Sequence, residues 1–166
     1  MLDIFLVILA LSLGETEGSR ASEAVPLGDV EITNAEPKTV ARAAEDQTPS
    51  GKFLTATEVK PILTATKSSW VAVREWEGQD LVYFTHILAW RCGVYEIRYS
   101  VNGGEVLQWP VPECDPATAT PGYIPPEANI YASFPLKSVE NITIELLYDD
   151  LSVDSATYER MSILMP

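Results

Sequence analysis

One histidine, His86, is the only imidazole in the chain available for acid–base work or for activating a nucleophile. It sits in an apolar, β-rich run with Phe84 and Leu88 on its own face, which reads as a hydrogen-bonded core or edge position. No Gly-x-Ser-x-Gly elbow marks a serine for it to activate, so no hydrolase and no other enzyme is expected. Carboxylates gather at Asp149, Asp150 and Asp154, and oxygen ligands of this kind suit Ca²⁺. Their spacing departs from the Asp-x-Asp-x-Asp loop, and turn chemistry explains them better, because Asp side chains accept hydrogen bonds from backbone N–H groups just ahead. Gly103 and Gly104 precede a strand and not a helix, so they form no phosphate cradle. Cys92 and Cys114 make no Cys-x-x-Cys pair, and with a single histidine they are too few soft ligands for zinc. A disulfide between them is expected, closing a loop whose entropy is worth about 3 kcal/mol. No cofactor and no metal is expected.

Four tryptophans and a proline-rich stretch supply the candidate binding residues. Trp70 and Trp76 share parity on one predicted strand with Ala72 and Arg74, while Trp90 and Trp109 lie near strand ends. Exposed side by side they would stack on sugar rings or on a peptide; buried they would fill a core. Parity alone does not separate these uses. Residues 109–126 include Pro110 and Pro112 and make a connection too long for an ordinary hairpin. Tied down through Cys114, this segment would present a preformed surface to a partner. Trp70, Trp76, Trp109, Pro110 and Pro112 are therefore the candidate ligand or partner surface. Asn141-Ile-Thr143 matches a glycosylation acceptor, but it falls inside a predicted strand.

The elements that must position these residues are mostly strands. The one helical pattern covers residues 56–66, with Thr55 or Thr57 as cap and Pro61 limiting its length. Strands are predicted over 70–76 and 80–90, joined by a turn at 77–79. In 94–101, Tyr95, Ile97, Tyr99 and Val101 alternate with Glu96, Arg98 and Ser100, so the first set is expected in the core and the second outside. Asn102-Gly103 supplies the positive φ angles of a tight turn leading into 105–109. Further strands are predicted over 129–134, 140–148 and 156–164, with a turn at 149–154. Turn signals every 8–12 residues between short strands indicate an all-β, antiparallel Greek-key β-sandwich with one short N-terminal helix.

The stretch Tyr-Glu-Ile-Arg-Tyr-Ser-Val-Asn-Gly-Gly at 95–104 resembles the strand and turn of bacterial immunoglobulin-like and fibronectin type III-like modules, and the hairpin at 139–154 is similar in style. The resemblance implies architecture and carries no catalytic residue. It departs from the antibody pattern, because Cys92 and Cys114 do not bracket a core tryptophan as an inter-sheet pair, and their disulfide would staple a loop instead. As a whole the chain also resembles small exported bacterial proteins, a likeness that implies no mechanism.

Residues 4–13 form an apolar run of signal-peptide length, well short of the ~20 residues of a bilayer-spanning helix, although Asp3 replaces the usual basic residue ahead of it. Cutting before Glu15 is expected. The organisation is thus a signal peptide at 1–14, a disordered acidic linker at 15–51, with eight acidic and three basic side chains up to Ser50, and a β-sandwich domain at 52–166. No stable membrane span is expected after leader cleavage. A net charge of −13 excludes a basic nucleic-acid surface. The expected function is that of an exported non-catalytic protein, a protein-interaction module in the periplasm or outside the cell. The alternative is a carbohydrate-binding module using exposed tryptophans, so the partner is a protein or a glycan.

Overall fold

The structure, a computed structural model, describes residues 42–166; the signal peptide expected at 1–14 and residues 15–41 of the expected linker lie outside the described residues. Its regular structure is mostly strand, arranged as two antiparallel sheets. One sheet has the order β1 (Ala72–Trp76), β2 (Gln79–Tyr83), β5 (Tyr131–Pro135). The other has the order β4 (Leu107–Trp109), β3 (Val94–Val101), β6 (Asn141–Tyr148), β7 (Val153–Glu159). Every strand pair within the sheets is antiparallel. Val73 and Val82 from the first sheet and Ile97, Ile142, Ile144 and Leu146 from the second belong to one buried cluster. β6 shows the period-2 pattern without a break: Ile142, Ile144, Leu146 and Tyr148 are all buried.

Helix α1 (Ala56–Ala65) turns Ala56, Val59 and Leu63 inward, the spacing of one helical face. Glu58 holds its entry, accepting hydrogen bonds from the N–H groups of Gly51 (2.6 Å), Leu54 (2.9 Å) and Thr55 (3.3 Å). Burial works against its charge, but these bonds and one from Ser50 hold the carboxyl at about 2. The first turn rests on Gly93, where a Cβ would lie 2.5 Å from the Thr55 carbonyl carbon, a contact only glycine permits. The helix is not N-terminal: residues 42–55 precede it, and two shorter helices follow, α2 (Thr85–Ala89) and α3 (Arg160–Ile163). Nor does Pro61 limit it, since the helix runs four residues further.

Three strand expectations need correction. Residues 80–90 are not one strand: β2 ends at Tyr83 and the chain turns into α2. A strand would place Ile87 and Leu88 on opposite faces, whereas a helical turn buries both beside Phe84. Trp70 is not in β1, because its backbone is helical (φ −59°, ψ −37°) and closes a 3₁₀ turn at Lys67–Ser69. The last strand begins at Val153 and gives way to α3 before Leu164, which makes an isolated parallel bridge to Val73 instead.

The alternation in β3 holds from Ile97 onward and fails at Tyr95. A register irregularity between Val94 and Glu96 leaves Tyr95 unpaired and swings it off the core side. Its hydroxyl donates to the Ala43 carbonyl (2.8 Å), and the Arg42 guanidinium lies 4.9 Å from its ring. Ile97 is fully buried, while Arg98 lies on the outer face with Glu96 (2.6 Å) and Glu145 (2.9 Å). Truncating Ile97 to Ala is expected to cost about 2–5 kcal/mol, and Arg98→Ala about 0.5 or less, because exposed ion pairs contribute little. Urea melts of the two variants check this; the reverse order would show that β3 presents its other face to the core.

Candidate functional site

The structure leaves Trp109, Pro110 and Pro112 adjacent but does not set the three tryptophans among the five candidate surface residues side by side on the surface. Trp70 is fully buried and its Nε1–H donates to the Leu63 carbonyl (2.9 Å). Trp109 is also core, stacked on Phe84 (4.1 Å between ring centres, 25° between planes) and set edge-on to Tyr99. Trp90 meets Phe53 edge-on at 5.3 Å. Only Trp76, 49% exposed, stands on the surface, so no pair of tryptophans forms a platform. Pro110 is exposed and Pro112 half-buried.

The proline-rich connection is fixed by two devices, of which the sequence pointed to one. Cys92 and Cys114 are joined in a disulfide with Cα atoms 5.6 Å apart. Beside it, Arg91 is 2% exposed and donates all five of its hydrogen bonds to backbone carbonyls. Nε reaches Pro112 (2.8 Å), Nη1 reaches Leu88 and Gly122 (both 2.9 Å), and Nη2 reaches Glu113 (3.1 Å) and Tyr123 (3.0 Å). Burial lowers its pKa, yet no carboxylate pairs with it in these bonds. Its signal was present in the chain: Phe84, Ile87, Leu88 and Arg91 recur at the spacing of one helical face, running into a cysteine.

The histidine and the three aspartates that the sequence marks are tied up structurally. Thr66 spends its hydroxyl proton on the Ile62 carbonyl (2.7 Å), so the 2.7 Å contact with His86 requires the imidazole Nε2–H to donate. Burial lowers the His86 pKa and favours the neutral ring. The three aspartates part company. Asp149 accepts from Gln47 (2.8 Å) and from the Ala56 N–H at the start of α1 (2.9 Å). Asp150 bonds Ser152 and pairs with Lys60 (3.1 Å), and Asp154 pairs with Lys67. Among the described residues, no three His, Cys, Asp or Glu side chains lie together as a metal site would require. Tyr148 is buried with no hydrogen-bond partner for its hydroxyl, and burial, with the charges of Asp154 and Asp150, raises its pKa. Tyr148→Phe is therefore expected to leave stability unchanged or raise it by up to about 1 kcal/mol, read as the denaturation midpoint. A clear loss would show that the hydroxyl is satisfied.

What remains as a surface of distinct chemistry is the outer face of β1, β2 and β5. Because Val73, Val82 and Ala132 face the core, the residues between them point outward. They form three cross-strand rows: Ala72, Tyr83, Tyr131; Arg74, Leu81, Ser133; and Trp76, Gln79, Pro135. The Tyr83 and Tyr131 rings lie 5.4 Å apart, tilted by 51°. The Arg74 guanidinium lies 4.4 Å from the Trp76 ring centre and pairs with no carboxylate among the described residues. No row contains an acidic residue, in a chain with 24 of them. The matching face of the other sheet is different, with Glu96, Arg98 and Glu145 joined in ion pairs. At one end of the aromatic face lies a groove of about 360 Å³, walled by Trp70, Ala72, Arg74, Tyr83, His86 and Met165 among others.

No protein-family model, curated protein or solved structure matches this chain. Among the described residues, no helix is long and apolar enough to cross a membrane.

Proposed function

We propose that this chain is an exported, non-catalytic interaction module of the immunoglobulin-like, fibronectin type III-like kind, which meets a protein partner through the outer face of β1, β2 and β5. The strand order supports the architectural half. Lettered in chain order with the fourth strand as C′ and D missing, the sheets read A-B-E and C′-C-F-G, consistent with Greek-key immunoglobulin-like connections. The disulfide supports a periplasmic or secreted location, because such bonds persist in oxidising compartments.

The functional half is carried by one observation: Trp76, Tyr83, Tyr131 and Arg74 share a face free of carboxylates. Tryptophan, tyrosine and arginine are the residue types enriched in binding hot spots. A glycan platform is less well supported, since Trp70 and Trp109 are buried, and Arg74 lies over the ring of the one exposed tryptophan. The test is capture from an extract of the native envelope by the immobilised domain, with a Trp76→Ala, Tyr131→Ala variant in parallel. A protein held by the parent and lost by the variant supports the proposal. Equal capture by both would remove this face from the interaction, and binding to immobilised oligosaccharides without any protein partner would favour the glycan reading.

A further inference from the structure

Resting on that reading of the face, we infer that the groove at its end recognises a carboxylate-bearing peptide, with the carboxylate on Arg74 and a neighbouring apolar side chain in the groove. This chain carries a net charge of −13, and its own field repels an acidic partner over most of the surface. On the outer rows of β1, β2 and β5 that repulsion is locally relieved, because they hold one arginine and no carboxylate. Arg160, Arg98 and Arg42 each face a glutamate or aspartate of the chain, and Arg91 is committed to carbonyls. Among the described residues Arg74 pairs with no carboxylate and lies over the Trp76 ring, and an arginine over an aromatic face keeps its in-plane N–H fork available to a planar acceptor.

The groove fixes what should lie beside the carboxylate. Met165, Ala72 and the Tyr83 ring supply apolar wall, and His86, neutral with its Nε2–H given to Thr66, adds polarity without a second charge. An extended peptide offers both parts at the spacing of adjacent residues, an acceptor and a hydrophobic side chain. The carboxylate can come from a chain terminus or from an acidic side chain.

The experiment uses the domain with labelled backbone amides and three probes. These are acetyl-Ser-Ala-Leu with a free carboxylate, acetyl-Ser-Asp-Leu-Ser-amide, and acetyl-Ser-Asn-Leu-Ser-amide. One or both acidic peptides should bind at least about fivefold more tightly than the Asn peptide, perturbing the amides of Ala72, Arg74 and Tyr83. Which of them binds distinguishes terminus from side chain. Arg74→Gln should abolish the preference, and Arg98→Gln, on the other sheet, should leave it intact. Equal binding of all three peptides at these amides would overturn carboxylate recognition while leaving the face an interaction surface. Absence of binding, or perturbations elsewhere, would overturn the inference, and binding of an oligouronate in place of the peptides would reassign the groove to an acidic glycan. Envelope capture that does not depend on Trp76 and Tyr131 would instead count against the face itself, so the two failures are distinguishable.

Discussion

Replacing Arg91 with Ala is expected to cost about 4 kcal/mol or more, among the largest effects of any single substitution in this domain. The guanidinium joins the end of α2, at Leu88, to four carbonyls of the proline-rich connection, at Pro112, Glu113, Gly122 and Tyr123. Hydrogen bonds from a charged donor are worth about 1.5–3 kcal/mol each and do not add, because freed carbonyls partly recover with water. Arg91→Lys should rescue little, since an ammonium has three donors and no planar fork. In hydrogen exchange, amides of residues 110–125 should lose protection in both variants while those of β6 keep theirs up to the new global limit. A Lys variant as stable as the parent would show that charge alone, and not the five-carbonyl geometry, holds the connection.

The second large effect lies at the other end of the sandwich. Asp80 is fully buried on β2 and accepts two bonds from Arg160 (2.6 and 2.9 Å) and one from the Val139 N–H (3.1 Å). Arg160 also binds the Val139 carbonyl (2.9 Å) and Glu75 (2.7 Å). Asp80→Ala removes the buried half of the pair and leaves Arg160 with only Glu75 and the Val139 carbonyl, a loss expected to cost about 3 kcal/mol, the low end for breaking a buried pair. Substituting both partners with apolar residues should recover part of that loss.

The same pair sets an acid limb. Burial alone would raise the Asp80 pKa, but the bonds from Arg160 and from the Lys137 and Val139 N–H groups outweigh it and hold it below the ordinary carboxylate value. A carboxyl with a depressed native pKa contributes stability above its unfolded pKa, near 4, and loses it as pH falls through the native value. Asp80→Asn should flatten the stability profile below about pH 4. Asp149 has the opposite sign: burial, with the charges of Glu45 and Asp150, raises its pKa despite the bonds from Gln47 and Ala56. It weakens the fold above its unfolded pKa, and that penalty is relieved as pH falls through the raised native value. Denaturation followed between pH 2 and pH 7 separates them; an unchanged profile for Asp80→Asn would locate the acid sensitivity elsewhere.

The parts of the fold that were legible in the chain are those where local pattern and tertiary environment agree. β6 alternates because one face is core and the other wet, and Asn102-Gly103 turns because its φ angles of 53° and 67° suit those residues. The disulfide followed from cysteine count and placement. Legibility failed where a single residue changes the phase. Tyr95 has the parity of Ile97, but the extra residue of a bulge re-aims it, and composition carries no mark of a bulge. His86 looked like a strand residue because Thr85-His-Ile-Leu-Ala is β-prone in part, while the helical recurrence through Arg91 was the stronger clue. Among the candidate surface residues, Trp70 and Trp109 were not separable from Trp76 by parity, since burial depends on where the strand begins and on what Phe84 offers for stacking. The outer face of β1, β2 and β5 was invisible as a unit, because Tyr131 joins Tyr83 only through the pairing of β2 with β5, 48 positions apart in the chain.

The sheet carrying that face has unequal margins. Along β1 the neighbouring space is partly taken by the residues after α3, where Leu164 bridges to Val73 and the Met165 N–H donates to the Val73 carbonyl (2.7 Å). Along β5 no further strand pairs among the described residues. Growth of a fibre by strand addition needs two open sides on each sheet, so that every newcomer offers the next one a template. Here the carboxyl-terminal residues obstruct one side, and addition along β5 closes after a single event. If two copies joined through this sheet, they would do so as a symmetric pair and stop.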